Sequence, residues 1–218
     1  MSFFTGKTKL VNTTPIPLSI SSSSSSSAAA VAAGKITKEA AVALLHDHEF
    51  FLKTDPHHVS HRTLEPAAPT GEEEKESSGM DAAAARQSYQ LPRDVEPVSR
   101  PAVKVYEVVD HVPNPVWSSS VVSREELVDV RDGLFVRIRS PLAVVMETRW
   151  LVRERKEVGG GSGDDGEEGE LELVEDCEIT CSRLLVGIVK GQVDNNWEGI
   201  HARIVARMVE DAKKNGGA

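Results

Sequence analysis

A chain of 218 residues has room for one domain of ordinary size plus some unstructured sequence. Its formal charge of −9 is local: residues 66–101 hold seven acids against four bases, residues 157–170 hold six acids and no base, and the remainder is neutral overall. No clustered lysines and arginines are left to grip phosphates, which argues against nucleic acid, and no apolar run reaches the roughly 18 residues a membrane span needs.

Met1 to Ile20 carries Lys7, Lys9, Pro15 and Pro17 without a continuous apolar core, and no arginine precedes Arg62. Neither a secretory signal nor an Arg-rich transit peptide has that composition, so a cytoplasmic protein is expected. Cys177 and Cys181 agree. On a strand they share a face about 13 Å apart, too far for a disulfide, and read as reduced, buried small residues.

In chain order, Lys7 to Leu18 predicts a first strand with a proline-marked end. Residues 21–34, opening on homopolymeric serine, predict a low-complexity loop insertion. Thr37 then caps a helix from Lys38 to about Thr54, with Ala41, Leu44, Leu45, Phe51 and Leu52 on its apolar side. His48 falls on that side and His46 points nearly the opposite way. Asp55-Pro56 ends the helix.

A short strand follows at Val59 to Leu64, and residues 66–101, rich in Pro, Glu, Ser and Ala, predict a disordered excursion. Val103 to Val112 returns to strand character, Pro113-Asn114-Pro115 turns the chain, and Trp117 opens a strand running to Arg131. Asp132-Gly133 between two β-rich runs predicts a two-residue hairpin. Leu134 to Arg139, Leu142 to Arg155 and Glu170 to Cys181 complete the strands, with residues 156–169 as a disordered acidic loop. In the last strand Leu171, Leu173, Cys177, Ile179 and Cys181 share one face. Glu175 breaks the pattern by falling on that apolar face, as a pocket group, the sign of a bulge, or a partner for a buried cation.

Ser182 to Lys214 predicts one long amphipathic helix, with Leu185, Val189, Val193, Trp197, Ile200, Ile204 and Met208 in a single stripe. Ser182 is its N-cap and Asn215-Gly216 its stop. Gly187, Gly191 and Gly199 each weaken it by about 1 kcal/mol relative to alanine, so it must lie against a broad apolar surface. A mainly antiparallel sheet with one apolar face supplies that surface.

This order defines an α+β helix-grip fold: a curved antiparallel sheet of about seven strands packed on a long C-terminal helix, with a short N-terminal helix. The single domain covers 1–218, interrupted at about 21–34, 66–101 and 156–169. The segments Ala43-Leu44-Leu45-His46-Asp47-His48-Glu49 and Glu175-Asp176-Cys177-Glu178-Ile179-Thr180-Cys181, running into Leu184-Leu185-Val186-Gly187-Ile188-Val189-Lys190, resemble a fungal family of uncharacterised proteins. That family is similar to the START and polyketide-cyclase-like (SRPBCC) superfamily. The resemblance implies a hydrophobic-ligand cavity between sheet and helix and supplies no catalytic residues.

Five histidines, His46, His48, His57, His58 and His61, invite a metal reading, but His46 and His48 at i, i+2 diverge on a helix and cannot share an ion. No nucleophile motif or phosphate loop is present; the Gly-rich run 159–163 lacks the lysine and following helix that phosphate binding needs. No cofactor or metal is expected. The function expected is non-catalytic binding of a small hydrophobic molecule, such as a lipid, sterol or polyketide-like metabolite. The cavity candidates are His48, Met146, Trp150, Glu175, Cys177, Trp197 and Ile200. The alternatives are a cyclase- or hydratase-type enzyme using His48 and Glu175, and a protein-interaction module with a filled core.

Overall fold

The computed structural model describes residues 5–18, 34–64, 90–112, 119–155 and 170–216. The elements, in chain order, are β1 (Thr5–Ile16), α1 (Lys38–Leu45), α2 (His48–Leu52), β2 (His58–Leu64), β3 (Lys104–Val112), β4 (Ser119–Val130), β5 (Gly133–Ser140), β6 (Val144–Glu154), β7 (Leu171–Ser182) and α3 (Arg183–Asn215). The insertion expected from the serine tract, the one at 156–169, residues 66–89, the Pro113–Pro115 turn and Trp117 lie outside the described residues.

The strands form one seven-stranded sheet in the order β1-β7-β6-β5-β4-β3-β2, with every pairing antiparallel. From β2 to β7 it is a meander, and β1 docks on the far side of β7. The long α3 covers this sheet on one face, as a helix-grip arrangement requires. Ser182 caps it by accepting a bond from the Leu184 N–H, and Lys213 and Lys214 sit in its last turn, where they oppose the helix dipole.

Two glycines are fixed by close approach of backbone. A Cβ on Gly133 would lie 1.8 Å from the Trp150 carbonyl oxygen, and one on Gly34 would lie 2.1 Å from that of Ala212. The β4–β5 turn is therefore made by Arg131 and Asp132, one residue earlier than the Asp-Gly pair predicts, with Gly133 already paired to Val130. Gly34, at the end of the expected first insertion, is buried where the chain crosses α3.

Two other expectations need correction. The helix predicted over 38–54 is two helices, because Asp47 caps a second one by accepting a bond from the Phe50 N–H. Residues 90–101, read as part of a disordered excursion, pack on the outer face of the sheet as a strap. Val95 is buried against Val128 and Phe135, with Leu91, Val103 and Val130 beside it. Val98 N–H bonds to the Asp129 carbonyl, and Asp94 pairs with Arg149 at 2.7 Å. A Pro- and acid-rich segment needs no periodicity to cover a single outward-facing phenylalanine; Phe135 is fully buried beneath it and capped by Arg137 and Arg149, each 5.6 Å from its ring centre. Elsewhere the outer face carries the cross-strand ion pairs Lys7–Glu178, Lys9–Asp176 and Arg153–Glu172.

The main core lies between the inner face of the sheet and α1, α2 and the second half of α3. Leu45, Leu127, Leu134, Val152, Leu173 and Ile204 are fully enclosed there. A smaller cluster of Val144, Cys177, Ile179 and Cys181 lies under the first half of α3.

Candidate functional site

The two halves of α3 are seated differently. Its buried residues are His201, Ile204, Met208 and Ala212, all in the C-terminal half. Leu185, Val186, Val189, Val193, Trp197 and Ile200 face the sheet but stay only partly buried. The cause is lateral. Gly6 lets the helix start settle on β1, where an added Cβ would come within 2.8 Å of Val186, so α3 rests on β1 and β7. Helix α1 packs on β5, β6 and the end of α3, covering the other end of the inner face. Between them Met146 and Ile138, a cross-strand pair on the inner face, are themselves only partly buried.

Glu175 is buried and points inward, as the alternation predicts. The β7 register is continuous on both sides, so no bulge is involved. Its Oε2 accepts from Asn12 Nδ2 at 2.9 Å and lies 3.6 Å from His201 Nε2. His201 is 1 % exposed, with Nδ1 bonded to the Thr14 hydroxyl at 2.8 Å. Its ring stands between those of Trp150 and Trp197, at 5.2 and 5.3 Å. Trp150 is also edge-on to Phe51 and is the cross-strand neighbour of Glu175.

The expected residues thus divide. Trp150, Glu175 and Trp197 meet around His201, which sequence reasoning missed. Met146 and Cys177 lie together in the smaller cluster, where burial pushes the Cys177 thiol up to about 11 and leaves it an inert packing residue. Ile200 packs at the rim of the main core.

His48 belongs elsewhere. It sits on α2 and bonds to Asp129 Oδ1 through Nε2 at 2.7 Å and to the Tyr106 hydroxyl through Nδ1 at 3.1 Å. Burial lowers the His48 pKa, and the bond to Asp129 only partly offsets it. Burial works the other way on Asp129, but its bonds with His48 and Ser99 outweigh it and hold the carboxyl low. The pair is therefore a neutral imidazole donating to a carboxylate, with the Tyr106 O–H donating to Nδ1.

Asp129, Leu134, Trp150 and Glu175 stand in one cross-strand row. Three strand spacings separate the two acids, roughly 14 Å. His48 and Glu175 therefore do not converge on one reacting atom.

Tyr106 continues into a polar corner on the inner face of β2, β3 and β4. Its ring is edge-on to His61, 6.0 Å between centres. His61 bonds through Nδ1 to His58 Nε2 at 3.0 Å and through Nε2 to the exposed Glu49 at 2.6 Å. His58 Nδ1 lies 3.9 Å from Asp110 Oδ1, and neither atom has a hydrogen-bond partner among the described residues. Glu125, buried beside them, accepts from Ser123 at 3.3 Å. Burial and the charge of Asp110 push the Glu125 carboxyl up to about 8; burial and Asp55 push Asp110 up to about 6. Across the sheet Glu125 pairs with Ile138.

Of the metal-reading histidines, His46 instead donates through Nε2 to the carbonyls of Val130 and Gly133. Among the described residues no group of three or more His, Cys, Asp or Glu side chains is placed to hold a metal ion. On the opposite face a separate cavity of about 450 Å³ lies beneath the strap, bordered by Asp94, Val95, Pro97, Phe135, Arg149 and Leu151. None of the expected cavity residues lines it.

Fold and site together define an α+β protein whose sheet grips a C-terminal helix, with part-exposed apolar residues at one end of their interface and two buried polar clusters on the inner face of the sheet. The family model of DUF7053, a domain of unknown function, matches residues 5–210, and the chain belongs to that family. The curated proteins compared give no match.

Proposed function

We propose that this protein binds a small, largely apolar molecule, of the lipid, sterol or polyketide-like class, in the groove between the sheet and the first half of α3, without transforming it. One observation carries the reading: the sheet-facing apolar residues from Leu185 to Ile200 are all left part-exposed, whereas the same stripe one turn further on is fully buried. Leaving several large side chains half-wet forgoes about 1 kcal/mol or more each, which an apolar occupant would recover. Likeness of architecture to the START and polyketide-cyclase-like proteins supports the same reading at the level of fold.

An apolar fluorescent probe is expected to bind near one-to-one and to quench Trp197. Val193→Arg, at a half-exposed helix position on the groove, should weaken that binding tenfold or more while the melting temperature moves only a few degrees. A probe that binds neither protein ends this reading. Leu184 and Ile188, 88 % and 60 % exposed on the outer side of α3, favour a protein contact instead, and that alternative would stand if the probe failed.

A further inference from the structure

The polar corner on β2, β3 and β4 has an unmet requirement. Glu49 takes a hydrogen from His61 Nε2, and in the ring tautomer protonated at that nitrogen His61 presents a lone pair at Nδ1. The His58 Nε2–H must then fill that bond, leaving the His58 Nδ1 lone pair turned toward Asp110 Oδ1. The His58 side chain is 8 % exposed, and both facing atoms are buried and unpartnered. Two acceptors 3.9 Å apart cannot bond each other, but a donor about 2.8 Å from each can bridge them. Asp55 and Glu125 add two more carboxyl groups, and the groups that act on Asp110 and Glu125 are these acids, Ser123 and His57, with no lysine or arginine among them. Lys53, the lysine that acts on His58, is tied to Glu49.

Resting on the groove reading above, we infer that this corner is the subsite for the primary ammonium group of an amphiphilic amine, whose N–H bonds go to Asp110 Oδ1 and His58 Nδ1. The ammonium supplies the donors that the two atoms lack and a positive charge among the carboxyl groups. The alkyl body then runs toward Ile138, the cross-strand neighbour of Glu125. Metal is the poorer occupant, since no three ligands converge among the described residues.

The test compares octylamine, octanol and octyltrimethylammonium by calorimetry on the full chain at pH 7.5, and follows the His58 ring by NMR with butylamine. Octylamine should bind at least tenfold tighter than octanol, and octyltrimethylammonium, which has no N–H, should show no such gain. Asp110→Asn should bring octylamine down to the level of octanol and leave octanol unchanged. Glu125→Gln should reduce the preference less. Equal affinities for octylamine and octanol would overturn the inference while the groove stood. So would equal gains from the two ammonium compounds, which would mean nonspecific attraction to an acidic chain. If neither octyl compound bound, but butylamine shifted the His58 resonances in the native chain and not in Asp110→Asn, the corner would stand and the groove would fall. No butylamine shift and no octyl binding would sink both.

Discussion

Glu125 and Asp110 make the pH dependence of this protein legible at single residues. For both acids the folded-state pKa is raised, chiefly by burial, so the stability they allow is complete at low pH and is lost as the pH rises through about 6 and then about 8. His48 and His58 act in the opposite sense. Burial lowers both, so their contribution is present above the usual imidazole value and is lost as the pH falls below it. Stability should therefore peak between about pH 6 and 7 and decline on both sides. Glu125→Gln should flatten the alkaline side, worth on the order of a few kcal/mol, and leave the acid side in place. Melting temperatures from pH 4.5 to 9 check this; an unchanged alkaline slope in Glu125→Gln would assign the decline to another group.

At the level of elements, α3 tests whether its stripe is real. Ile204 is fully enclosed in the core, so Ile204→Asp buries an unpaired carboxylate and should abolish folding. Arg207 lies just outside the stripe, bonded to Asp211 one turn on and stacked 5.3 Å from the ring centre of Phe50. Arg207→Asp should cost only about 1 kcal/mol, from the lost stacking and a new like-charge pair. Circular dichroism melts of the two variants give the comparison, and similar melts would place the stripe elsewhere.

This helix also shows what the sequence could and could not convey. Periodicity placed it because apolar residues recur at helical spacing over its whole length. His201 sits at that same spacing, between Trp197 and Ile204, yet a polar residue does not register as part of an apolar stripe. The break after α1 was signalled only by Asp47 as a cap, since Leu44, Leu45, Phe51 and Leu52 keep an apolar phase across it. In β4 both faces are covered, by the strap outside and by α2 within, so Leu127 and Val128 are both buried and alternation vanishes. There Asp129 and Glu125 could not be read as inward.

Over the whole molecule, stability is unevenly spread. One end is a continuous core shared by the sheet and all three helices; the other is a single helix half resting on two strands. Few buried contacts hold residues 183–200, so their amides should open locally, while those of 201–212 should open only with the whole domain. Native-state hydrogen exchange is expected to show lower protection in the first half of α3, and a groove ligand should raise it there selectively. Uniform protection along the helix would contradict a half-seated α3.

The placement of β1 also bears on how the chain is made. Among the described residues it pairs with β7 alone, from Thr5 against Ser182 to Ile16 against Leu171. At ribosomal rates of about 5–20 residues per second, β1 emerges many seconds before its partner. Throughout that interval its backbone donors and acceptors face solvent, and the growing meander has an unfilled margin at its newest strand. Lys7 and Lys9 are then charges without their acidic partners, and an edge bearing lysines is a poor template for a neighbouring nascent chain. The ion pairs that fasten the sheet at the end of synthesis thus leave behind, while β7 is still missing, the charges that keep the waiting strand solitary.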